Sequence, residues 1–172
     1  MLAVVIINLV ANQKSSADAS YLDQTHLSAE ENPKQVVVLP EAVLNLLMTD
    51  EIVVREKACR KQMAIPGETR SSFFVATQVY LDGSRQPDFL TLGKGCFLGA
   101  HNAPFWMVRK TPEGFHIILS WVSDDLEILP TRTHGFHDLR LSSFTFNTIS
   151  STICKFDGQK YVSTKRDLEP WP

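Results

Sequence analysis

The sequence predicts an α+β fold in which one or two N-terminal helices pack on an antiparallel β-meander. Three observations predict it. After Pro40, the apolar residues Val43, Leu44, Leu47 and Met48 recur at three-to-four-residue spacing, the stripe of an amphipathic helix. From Ser72 onward the chain breaks into short runs rich in Phe, Val, Ile and Thr, residues that suit a pleated surface. Turn residues separate those runs, and Asp157-Gly158 is the strongest tight-hairpin pair among them.

Composition narrows the classes. The 172 residues are 44% hydrophobic and 21% charged, enough apolar surface to collapse into a core rather than stay disordered. A net charge of −2 and a pI near 6.2 supply no basic field for nucleic acid or an anionic membrane.

Met1 to Ala11 (MLAVVIINLVA) is apolar but for Asn8. A bilayer span needs about 20 apolar residues, so this run fits the hydrophobic region of a signal peptide instead. Ala17-Asp18-Ala19 follows as a small-residue cleavage pattern, although no Lys or Arg precedes the apolar run. Residues 1–19 are therefore expected to be a signal peptide, placing the protein in the periplasm or medium with no membrane span after processing. The competing reading is a buried first strand through Val4–Ile7. Residues 20–38 are polar and aperiodic, an expected flexible lead-in.

The domain proper is expected over 39–163. Pro40 and Glu41 suit a first helical turn, and Thr49 or Asp50 can cap a second helix running to about Lys61. Pro66-Gly67 ends the helical part. Strands are expected over Phe73–Leu81, Asp88–Leu92 and Pro104–Arg109. Thr111-Pro112-Glu113-Gly114 then reads as a type I turn into Phe115–Trp121. Leu126–Leu129, Leu139–Ser150, Ser151–Phe156 and Lys160–Ser163 complete the meander, with no visible turn between Ser150 and Ser151. Residues 164–172, rich in charge and proline, are expected to form an exposed tail.

Three cysteines, Cys59, Cys96 and Cys154, suit one bridge and one spare thiol in an oxidising compartment. Cys59 near a helix end and Cys96 in a glycine-rich loop are the expected pair, pinning helix to sheet. Cys154 lies in the alternating run Thr152–Phe156, where a thiol behaves as a small buried hydrophobe.

The segment Val79–Leu90 (VYLDGSRQPDFL) resembles the acidic loop of FG-GAP-type β-proteins, D-x-D-G-[DS]-G-x-x-D before an apolar strand. The resemblance implies calcium ligands at Asp82, Ser84 and Asp88, since calcium takes six or more oxygens. Tyr80 replaces the first carboxylate and Arg85 replaces a glycine. The plainer expectation is a turn in which Asp82 bonds the backbone ahead of it. Thr133–Leu139 and Phe156–Tyr161 look like further turns of this kind. With Gly99–Trp106, their order is similar to small exported bacterial domains of unknown function, across residues 39–163. That implies a fold and no activity.

No G-x-S-x-G elbow, P-loop or dinucleotide fingerprint occurs. Asp124, Asp125 and Glu127 read as carboxylates solvated on a turn. The favoured expectation is a non-catalytic binding or inhibitor-type protein, with an unknown protein partner in the cell envelope or outside the cell. Its recognition loop would be Gly93–Trp106, with Lys94, His101, Asn102 and Trp106 as contact residues. The alternative is a hydrolase, with Cys96, His101, His134 and His137 around a metal or Cys96 as a thiol nucleophile beside a histidine such as His116.

Overall fold

The computed structural model describes residues 25–67 and 69–170, so the expected signal peptide lies outside the described residues. Within them the chain is β-rich. Nine antiparallel strands form two sheets, and the helices are three short pieces.

Helix α1 (Glu41–Leu47) buries Val43, Leu44 and Leu47, the expected stripe. Helix α2 (Glu51–Arg55) starts at the Asp50 N-cap, whose Oδ1 accepts the Ile52 amide. Helix α3 (Lys57–Met63) buries Cys59 and Met63. The expected second helix is thus broken at Glu56, where φ −78° and ψ 71° leave the helical region.

Strands β2 (Phe74–Val79), β3 (Asp88–Gly93), β4 (Ala103–Thr111) and β5 (Gly114–Ser123) form a four-stranded meander. Strands β1 (His26–Ser28), β6 (Asp125–Thr133), β7 (Phe136–Phe144), β8 (Thr148–Phe156) and β9 (Tyr161–Pro170) form the second sheet in the order β1-β6-β7-β8-β9.

The first sheet is the middle layer of three. On one face Leu90, Leu92, Phe105 and Met107 meet Leu126, Leu139, Leu141 and Cys154 of the second sheet. On the other, Phe74, Phe89, Trp106 and Val108 pack under the helices, against Val43, Leu47 and Val53. Successive residues of a strand point to opposite faces, so a strand covered on both sides is buried throughout. β3 is buried at every position for that reason. Only Asp124 separates β5 from β6, and there the chain crosses from one sheet to the other.

Three expectations are corrected. The flexible lead-in is tied down from His26: β1 pairs with β6, and Leu27 and Ala29 join the core. Residues 164–170 of the expected tail continue strand β9, paired with β8 as far as Thr148↔Pro170. An edge strand needs only one neighbour and tolerates charge and a terminal proline, which is why its composition reads as a tail. Finally, β7 and β8 are divided at Thr145–Asn147, not at Ser150. Thr145 makes this turn without glycine or proline, its amide and hydroxyl both donating to the Thr148 carbonyl.

Candidate functional site

The loop from Gly93 to Trp106 is anchored at its start and free at its tip. The Lys94 amide donates to the Phe73 carbonyl at 2.9 Å, and Cys96 is bonded to Cys59 of α3. The Lys94 ammonium reaches the carbonyls of Ala29 and Glu31 at 3.5 and 3.4 Å, and its partial burial lowers its pKa. It staples the loop to the segment after β1. At the tip, the Gly99 amide donates to the Asn102 carbonyl at 2.7 Å, closing a turn that carries His101 outward. Asn102 folds its side chain over Gly99, where a Cβ would collide with it. His101 Nδ1 donates to Glu30 Oε1 at 2.8 Å, and that hydrogen bond raises the imidazole pKa.

Trp106 is corrected as a contact residue. It is fully buried on the helix-facing side, edge-on to Phe74 and Phe97, with its indole N–H donating to Asp50 Oδ1 at 2.9 Å. Period-two alternation suggests that one of Phe105 and Trp106 faces water, but here both faces of the strand are covered.

His101 stands at the rim of a cleft of about 520 Å³, with Glu30, Asp124, Asp125, Phe144 and Phe146 around it. Asp124 is 5% exposed although it sits at a strand junction. Its backbone explains this: the amide donates to the Ser142 carbonyl and the carbonyl accepts from the Ala29 amide, which holds the residue between β1 and β7. Its Oδ2 accepts the Phe144 amide. Burial raises its carboxyl pKa, the Phe144 hydrogen bond opposes the rise, and the charge on Asp125 adds to it. Beyond the cleft, the β7–β8 turn projects Phe146, which is 98% exposed. Phe146 was not singled out in the sequence, though an aromatic flanked by Thr145 and Asn147 is a signal that could have marked it. The expectation of a solvated carboxylate at Asp124 is corrected, because its burial arises from strands far apart in the chain.

The other candidate residues lie elsewhere. Asp82 Oδ1 accepts the Ser84 amide at 2.9 Å, the turn expected on the plainer reading. Its Oδ2 takes Arg109 Nη2 at 2.5 Å, while Arg109 Nη1 reaches Asp88 Oδ2 at 3.4 Å and the guanidinium stacks over Phe136. Arg109 therefore supplies, from within the chain, the positive charge that calcium would otherwise bring to these two carboxylates. Partial burial pushes the Asp82 carboxyl up, but hydrogen bonds from Ser84 and Arg109 outweigh it and leave the pKa low. Asp88, 1% exposed, is pushed up to about 6 by burial against the pull of Arg109.

The four residues of the alternative metal set are not brought together. Cys96 is in the disulfide, and His101 is at the cleft rim. His134 Nδ1 donates to the Phe156 carbonyl at 2.7 Å. His137 Nδ1 donates to the Leu129 carbonyl at 2.6 Å, and its Nε2 accepts from Arg132. Among the described residues no group of three or more His, Cys, Asp and Glu is placed to hold a metal ion. Cys154 is the free cysteine, buried, its thiol pushed up to about 11 by burial.

Compared with known protein families, with curated proteins and with solved structures, the chain finds no match. The cleft must be read from its own chemistry.

Proposed function

We propose that this protein is an exported, non-catalytic binding module, of inhibitor type, that engages a protein partner through the cleft beneath the 93–106 loop. The observation that carries this reading is Phe146, an aromatic 98% exposed at the rim of a cleft that also holds His101. An aromatic ring left in water on a hydrogen-bonded turn is the residue type that anchors interfaces. The loop above it is fixed at Cys96 and Lys94, so little ordering entropy is lost on docking.

The Cys59–Cys96 disulfide suits an oxidising compartment, and no helix among the described residues is long and apolar enough to cross a membrane. With the leader-like first 19 residues, this supports a periplasmic or secreted location.

The test is capture from the cell-envelope and extracellular fractions with wild-type protein and with a His101→Ala/Phe146→Ser variant. Both side chains are exposed, so each substitution should shift stability by less than about 0.5 kcal/mol. A partner held by wild type and lost by the variant is expected. Identical capture by the two proteins would remove the cleft from the proposal.

A further inference from the structure

Resting on that binding role, we infer that the cleft takes a cationic side chain, lysine or arginine, from an apolar-flanked segment of the partner protein. Its deepest acidic group is Asp124, 5% exposed and lining the cleft. Only Oδ2 of that carboxylate is hydrogen-bonded among the described residues, by the Phe144 amide. Oδ1 has no hydrogen bond among the described residues and keeps some exposure, on a residue that lines the cleft. A carboxylate on so little-exposed a residue is poorly hydrated, and a cation or donor at its second oxygen would complete it.

The surroundings select a cation. Glu30 and Asp125 add two carboxylates to the lining, and His101 is the basic residue there. Glu30 is taken by His101, and Asp125 meets His26 at 3.3 Å. Asp124 is thus the carboxylate left for a ligand. Phe144 and Phe146 give the cleft an apolar wall, suited to the methylene stem of a long cationic side chain and to its apolar neighbours. The charged groups facing Asp124 are Glu30, Asp125 and His101. Glu30 raises the His101 pKa, and as pH rises through it the cleft loses a positive charge. Burial raises the Asp124 carboxyl pKa, so its ionisation also grows as pH rises. Loss of the His101 charge and ionisation of Asp124 both add net negative charge to the cleft as pH increases, so affinity should be higher at pH 8 than at pH 5.5.

The experiment titrates the protein with a Leu-Arg-Leu peptide blocked at both ends, and with its citrulline counterpart, following backbone amides by NMR. The arginine peptide should shift the Asp124, Phe144 and Phe146 amides, bind at least tenfold more tightly than the citrulline peptide, and weaken from pH 8 to 5.5. Asp124→Asn retains an acceptor for the Phe144 amide and should weaken the arginine peptide at least tenfold. Phe146→Ser, whose site is almost wholly exposed, should weaken both peptides alike. Equal binding of the two peptides, or an unchanged affinity in Asp124→Asn, would overturn the cation assignment. If the peptides fail while the His101→Ala/Phe146→Ser variant still loses a captured partner, the cleft binds by other chemistry. Failure of both experiments removes the binding role itself.

Discussion

Replacing Asp50 with alanine should be among the most damaging single polar substitutions in this protein. Asp50 Oδ1 accepts three hydrogen bonds: from the Ile52 amide at 3.0 Å, the Trp106 indole at 2.9 Å and the Ser120 hydroxyl at 3.0 Å. One atom caps α2 and ties it to β4 and β5. Losing the cap costs about 1 kcal/mol. Stranding the fully buried Trp106 N–H costs about 1–3 kcal/mol more, whereas half-buried Ser120 can turn to water. Together that is roughly 2–4 kcal/mol, or about 5–15 °C in Tm for a domain of this size. Urea unfolding with the disulfide intact measures it. Asp50→Ser separates the two contributions, because serine caps a helix but is too short to reach the indole. It should lose about 1–3 kcal/mol, and Asp50→Asn, which keeps an acceptor in place, less than either. An alanine variant within about 0.5 kcal/mol of wild type would refute the account. A serine variant as damaged as alanine would show that the indole bond, not the cap, carries the whole effect.

Two further outcomes follow from the core. The Cys59–Cys96 bridge closes 37 residues of chain, which the loop-entropy relation converts to about 4 kcal/mol, so Cys59→Ser/Cys96→Ser should lose up to that amount. A thiol reagent should find almost no reactive cysteine in the native protein and one, Cys154, after unfolding without reductant; three would mean that the bridge does not form. Asp88 has a folded-state pKa of about 6, above the ordinary 3.8, so the folded state holds the extra proton. The stability this contributes is complete below about pH 4 and is lost as pH rises through 6. Relative to wild type, Asp88→Asn should therefore gain stability between pH 4 and 7; a gap that moves the other way would mean that the attraction of Arg109 outweighs burial.

Much of the local structure was legible. The Val43–Met48 stripe, the Asp50 cap, the Pro112-Glu113 turn and the Asp157-Gly158 hairpin all depend on residues a few positions apart, where propensity and turn chemistry act directly. The failures were where a distant strand decided the outcome. Residues 164–170 read as a tail because pairing with β8 leaves the composition of this part of β9 polar. The Thr145–Asn147 turn was hidden because its hydrogen bonds come from threonine rather than from glycine or proline. Of the residues expected in the recognition loop, His101 lines the cleft, whereas Trp106 is covered by the helices.

By itself, then, the sequence determined the first helical stripe, the central strands with their local turns, and which cysteines could meet, since periodicity, caps and turns are properties of neighbouring residues. Tertiary structure alone decided the exposure of each chemical group. Covering the middle sheet on both faces turned Trp106 from a surface aromatic into core, and folding β6 across to the second sheet buried Asp124. The Thr145–Asn147 turn left Phe146 in solvent beside it. Burial is a sum over partners from every part of the chain, and it is burial that made a cleft from residues with no common motif.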